Sequence, residues 1–145
     1  MPRHTISSGS PWEPIVGFSR AVRVGEHVHV AGTGPVEPDG GCASDAKHQA
    51  QRCWAIIRAA LVEAGASLDE VVRTRTYVTE PAVFDAVNEV HHAMVGRVRP
   101  AATLVVAAGL ADPRWVVEIE VDATIGSAPD AADAPDAPPT PAEDA

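Results

Sequence analysis

The stretch that most constrains this chain lies near its C-terminal end, in Val116-Val117-Glu118-Ile119-Glu120-Val121-Asp122-Ala123-Thr124. A period of two places Val117, Ile119, Val121 and Ala123 on one side and Glu118, Glu120 and Asp122 on the other, which is a β-strand with one face in a core. The strand belongs to a longer unit, Arg99 to Ile125, that reads as two strands joined by a short turn. Thr103 to Ala107 is a continuous apolar run, and Leu110-Ala111-Asp112-Pro113 breaks it. Three carboxylates on one strand face repel one another and need solvent or basic neighbours. The face is therefore either the solvated side of an antiparallel sheet or a polar subunit interface or ligand cleft.

The rest of the chain supplies elements to pack against that strand. Residues 1 to 14, rich in Ser and Pro, read as an irregular arm. Phe18 to Val24 and His27 to Ala31 read as a hairpin turning at Gly25-Glu26, with Val28 and Val30 on one face and His27 and His29 on the other. A lone His-x-His pair on a strand face is far more often solvated than metal-binding. Ser44 or Asp45 caps a helix running to about Ala64, and Ala46, Ala50, Cys53, Trp54, Ile57, Leu61 and Ala64 form its buried stripe. Gly65 closes it, and Ser67-Leu68-Asp69-Glu70 fits a capping box.

Val71 to Val78 is a further strand. Val72, Thr74, Thr76 and Val78 are expected on one face, and Arg73, Arg75 and Tyr77 on the other. Those arginines are candidate cross-strand partners for Glu118, Glu120 and Asp122. Thr79 or Glu80 opens a second helix with Pro81 in its first turn and Val83, Val87, Val90 and Met94 on its buried face. His91 and His92 splay by about 100° on a helix and cannot share a metal ion. The order β-β-α-β-α-β-β gives an α+β fold, a mixed sheet with two helices on one face. Nothing in the chain covers the other face, so oligomerisation is expected.

The chain has 20 acidic and 11 basic residues. Five of the acids, and no Lys or Arg, lie in the Ala/Pro-rich tail from Gly126 to Ala145, which is expected to be disordered. The body remains mildly acidic, which argues against nucleic acid as a partner. The Met1–Pro11 start is polar, without the apolar stretch of a signal peptide, and no run is long enough to span a bilayer, so no membrane role is expected. Cys42 and Cys53 make no framework and read as thiols in a reducing, cytoplasmic setting.

With these elements placed, the chain resembles the Rid (reactive intermediate deaminase) family, also called YjgF or endoribonuclease L-PSP, over about residues 15 to 125. The resemblance rests on Gly17-Phe18-Ser19-Arg20-Ala21-Val22-Arg23-Val24-Gly25, Ala31-Gly32-Thr33, Gln49, and Ala64-Gly65-Ala66-Ser67-Leu68 followed by Val71-Val72. Tyr77-Val78-Thr79, Asn88, Pro100-Ala101, Leu110 and Glu118-Ile119-Glu120 complete it. It implies a chorismate-mutase-like fold and a homotrimer whose bare sheet faces form a central barrel. It also implies clefts between subunits that bind small imines or enamines, such as 2-aminoacrylate, and hydrolyse them without metal or organic cofactor.

The resemblance carries a substrate-binding role to Phe18, Ala31, Gly32, Asn88, Ala102 and Leu104, and a catalytic one to Glu118. The departures are specific. Ala102 stands where deaminating members have an arginine that clamps the substrate carboxylate through two hydrogen bonds. Phe18 replaces a hydroxylated aromatic, Ala31 a small hydroxyl residue, and Leu104 a frequent cysteine. Arg75 or Arg99 could supply another positive charge. Glu118 either acts as a general acid or base or simply pairs with a basic side chain at the interface. The expectation is a trimeric binder of a small molecule that hydrolyses a neutral imine, enamine or related metabolite rather than 2-aminoacrylate. The alternative is a non-catalytic ligand-binding or regulatory trimer.

Overall fold

A computed structural model of the protein describes residues 1–132. Among these residues six strands form one sheet: β1 (Arg3–Ile6), β2 (Ala21–Val24), β3 (His27–Thr33), β4 (Val71–Val78), β5 (Ala101–Val106) and β6 (Val117–Thr124), in the order β1-β2-β3-β6-β4-β5. The β4–β5 pair is parallel and every other pair antiparallel. Two helices, α1 (Ala46–Glu63) and α2 (Phe84–Val95), complete the α+β fold.

β6 sits between β3 and β4, and its alternation is realised residue by residue. Val117, Ile119, Val121 and Ala123 are buried, with Glu118, Glu120 and Asp122 between them on the opposite face. The apolar face packs under α1, whose Ala50, Cys53, Trp54, Ile57 and Leu61 are buried. Asp45 is the N-cap, accepting from the His48 N–H, and Gly65 follows the helix at φ +87°, a conformation that suits glycine. The Ser67/Glu70 capping box is present in both directions.

One buried residue of α1 is polar. The Gln49 amide donates to Ala43 O and Arg114 O at 2.8 and 2.9 Å and accepts from the Val116 N–H at 2.8 Å. It fastens the loop ahead of β6 to α1 and so fixes where the β6 alternation begins.

Four expectations need correction. The arm is not wholly irregular, because Arg3–Ile6 pairs with Ala21–Val24 and Glu13–Gly17 forms a single wide turn. Only Ile6 of β1 is buried, so no alternation announces it. β5 and β6 do not pair, since β4 lies between them and α2 carries the crossover that a parallel β4–β5 pair requires. The faces of β4 are interrupted between Val71 and Arg73, where the pairing with β6 shifts register, so Val71 is buried and Val72 exposed. The tail begins with a tethered turn: Gly126 N–H donates to Glu70 Oε1 at 2.9 Å and Ser127 Oγ to Thr124 O at 2.6 Å. Residues 133–145, where the rest of that expected disorder falls, lie outside the described residues. Among the described residues, no helix is long and apolar enough to cross a membrane.

Candidate functional site

The helices cover one side of the sheet, and the candidate chemistry lies on the other. Arg75 on β4 lies opposite Glu120 on β6, and its Nη1 is 3.3 Å from Glu120 Oε1 and 3.4 Å from Asp122 Oδ2. Tyr77 Oη donates to Glu120 Oε1 at 3.1 Å, and His29 Nδ1 lies 2.8 Å from Asp122 Oδ1. Of the expected cross-strand compensation, the Arg75 pairs with Glu120 and Asp122 are in place, while among the described residues Arg73, opposite Asp122, forms no ion pair and Glu118 is in none; His29 is engaged by a carboxylate. A groove of about 410 Å³ opens beside this cluster, and Phe18, Ser19, Ala31, His29, Arg75 and Glu120 contribute to its walls.

Glu118 is differently housed. β3 advances three residues, from Val30 to Thr33, while β6 advances two, from Val121 to Ile119. The extra residue makes a β-bulge at Ala31-Gly32, a device that re-aims groups next to a site. The Glu118 carboxylate rests against Gly32, which has no side chain there: a Cβ would meet Glu118 Oε1 at 2.5 Å. Burial raises the Glu118 pKa, Glu120 adds to the rise, and Arg20 opposes it. A carboxyl raised in this way can exchange protons nearer neutral pH than an exposed one.

Beneath the bulge lies Arg20, only 8% exposed. Its Nη1 donates to Gly32 O and to Thr33 Oγ1, both at 2.9 Å, and its guanidinium carbon lies 5.4 Å from the Phe18 ring centroid. Sequence reasoning gave Arg20 no role. An arginine between Ser19 and Ala21 reads as a surface residue, and its backbone and hydroxyl acceptors are named by no local pattern.

Of the seven residues assigned to the cleft, the chain brings four together on the bare side: Phe18, Ala31, Gly32 and Glu118. It does not bring the other three to them. Ala102 and Leu104 pair with Thr74 and Thr76, whose side chains are buried on the helix side, and Leu104 packs against that core. Asn88 is exposed on α2, in the helical layer. The sheet itself separates the two groups. Of the two arginines offered as a substitute charge, Arg75 lines the groove; Arg99 stands at φ +48° in the connection ahead of β5.

The profile of the family described as Endoribonuclease L-PSP matches residues 9–125. The chain belongs to that family, known also as Rid or YjgF. It is 37% identical over 123 residues to the Streptomyces coelicolor protein SCO2049, covering 84% of this chain and 92% of that one. It is 36% identical over 107 residues to the RutC family protein PYRAB12510 of Pyrococcus abyssi, covering 72% and 84%. Among solved structures, Rv2704 of Mycobacterium tuberculosis, a member of the YjgF/YER057c/UK114 family, superposes with a TM-score of 0.79 at 43% identity, covering 86% of this chain and all of that one. Within the family, this chain has Ala102 where the resemblance expects an arginine, and keeps Glu118.

Proposed function

We propose that this chain is the protomer of a homotrimeric small-molecule hydrolase whose clefts form between copies, with Glu118 as the proton-transferring group. The observation that carries this reading is the split of the assigned residues across the sheet. Phe18, Ala31, Gly32 and Glu118 lie on the bare side, and Asn88, Ala102 and Leu104 on the helix side. One copy would lay β5 and α2 against the bare side of the next. Such an arrangement would cover the exposed Val105 and Val106 of the β5 edge and close the sheet face over its charges.

In this reading the substrate is a neutral imine, enamine or related metabolite. Ala102 offers no guanidinium for a carboxylate, so 2-aminoacrylate is not the expected substrate. The Glu118 carboxylate takes a proton from water as its oxygen adds to the imine carbon. The resulting acid returns that proton to nitrogen, giving a neutral carbinolamine; the carboxylate then relays the adduct's hydroxyl proton to the amine nitrogen as the C–N bond breaks, releasing ammonia and the carbonyl product. The reaction asks for no metal or organic cofactor. The mildly acidic body makes RNA a poor fit. A cytoplasmic setting suits the two free thiols, Cys42 and Cys53.

The test is ammonia release from imines generated from neutral and acidic amino acids by an amino-acid oxidase, with and without the protein. Acceleration is expected for neutral substrates, and Glu118→Gln should lower it by about 10²- to 10⁴-fold. No acceleration across the panel would refute the hydrolase reading. It would favour a non-catalytic ligand-binding trimer, which the apolar Ala102 and Leu104 on β5 also support.

A further inference from the structure

A bulge that needs two hydrogen bonds could be held by a neutral side chain, yet this one is held by an arginine. Both acceptors of Arg20, Gly32 O and Thr33 Oγ1, are uncharged, and the Arg20 Nε–H is buried without a partner. Burying a guanidinium against neutral groups is costly unless an anion balances it. The anions that act on Arg20 are Glu13 and Glu118. Glu13 acts the more strongly of the two and is held as an anion on the N-terminal arm, its Oε2 accepting from Ser8 N, Ser8 Oγ and Ser10 N at 3.1, 2.8 and 3.1 Å. Glu118 accepts no hydrogen bond from any described side chain or backbone group, and its carboxylate rests against Gly32, the residue whose carbonyl Arg20 holds.

We propose that Arg20 is the positioning residue of the Glu118 site: it locks the Ala31-Gly32 bulge against which the carboxylate rests, and its buried charge is what that carboxylate answers. The inference rests on the reading of Glu118 as the proton-transferring group. The other groups facing Glu118 do not substitute for Arg20. Glu120 on the same strand is a like charge, Tyr77 across on β4 is neutral and hydrogen-bonded to Glu120, and Cys53 on α1 beneath is a buried thiol whose pKa burial pushes up.

The experiment is a pH titration of the Glu118 side-chain carboxyl by carbon-13 NMR on the full chain without substrate, the signal being assigned by its loss in Glu118→Gln. Arg20→Gln should move the Glu118 midpoint upward, and Arg20→Lys, which keeps the charge, should return it toward wild type. An Arg20→Gln protein that folds and titrates as wild type overturns the proposal, as does an Arg20→Lys shift as large as that of Arg20→Gln. Should Arg20→Gln not fold, the wild-type Arg20 Nε–H resonance is the second readout. It should shift through the Glu118 midpoint and be flat there in Glu118→Gln. A flat wild-type response overturns the proposal. Because no substrate is present, failure here and failure of the ammonia assay are separate results.

Discussion

On β6, Ile119 is 1% exposed and packs under a helix, while Glu118 and Glu120 on either side of it face away from that core. The two faces of this strand divide the labour of the molecule. The helix side gains its stability from close-packed apolar area, which tolerates little change. The bare side is a sheet of pairs: Arg75 with Glu120 and Asp122, Tyr77 with Glu120, His29 with Asp122. Such half-exposed pairs contribute little to folding. What they contribute instead is a fixed pattern of charge around the groove and the Ala31-Gly32 bulge.

The comparison predicts a steep gradient of effects across one strand. Ile119→Ala on the covered side should cost about 2–5 kcal/mol in denaturant unfolding. A loss under 1 kcal/mol would mean that the core is looser than its burial implies. Gln49→Ala should cost about 2–3 kcal/mol, because three backbone groups around the β6 entry lose a buried partner. On the bare side, Arg75→Ala should change chain stability by no more than about 1 kcal/mol, since its pairs are part-exposed and screened. It should nevertheless weaken self-association measured by sedimentation, and unchanged association would remove charge compensation as a reason for that residue.

The smallest effect concerns pH. Burial raises the Glu118 pKa in the folded chain, so in the window from the ordinary carboxylate range up to that raised value the folded state binds the proton better than the unfolded one. Stability contributed by Glu118 therefore falls as pH rises through that window. Glu118→Gln should be slightly more stable than wild type at neutral pH, with the gap closing in acid. A gap that widens in acid would reverse the assigned direction.

How much of this was legible in the sequence follows the same division. The alternation of β6 and the stripe on α1 are one-dimensional patterns, and both faces were assigned from them. Strand partners were not, because alternation states which side a residue faces but not which strand lies beside it. β4 therefore went unseen between β5 and β6, and β1 unseen against β2. The Arg75–Glu120 pair was legible because opposite charges on two strands of matching period suggest one another. Arg20 was not, since its partners are a carbonyl and a hydroxyl 12 and 13 residues away. The family motifs led to Glu118, Ala102 and Asn88 alike, but a motif carries no record of which face, or which copy, presents each residue.

The account turns on those residues meeting only between copies of the chain. Native mass spectrometry of the full-length protein at micromolar concentration tests this most directly. The account predicts a mass three times that of the chain, lost together with any ammonia-releasing activity on dilution. A monomer at that concentration would leave Glu118 on one side of the sheet and Ala102 on the other, and would contradict it.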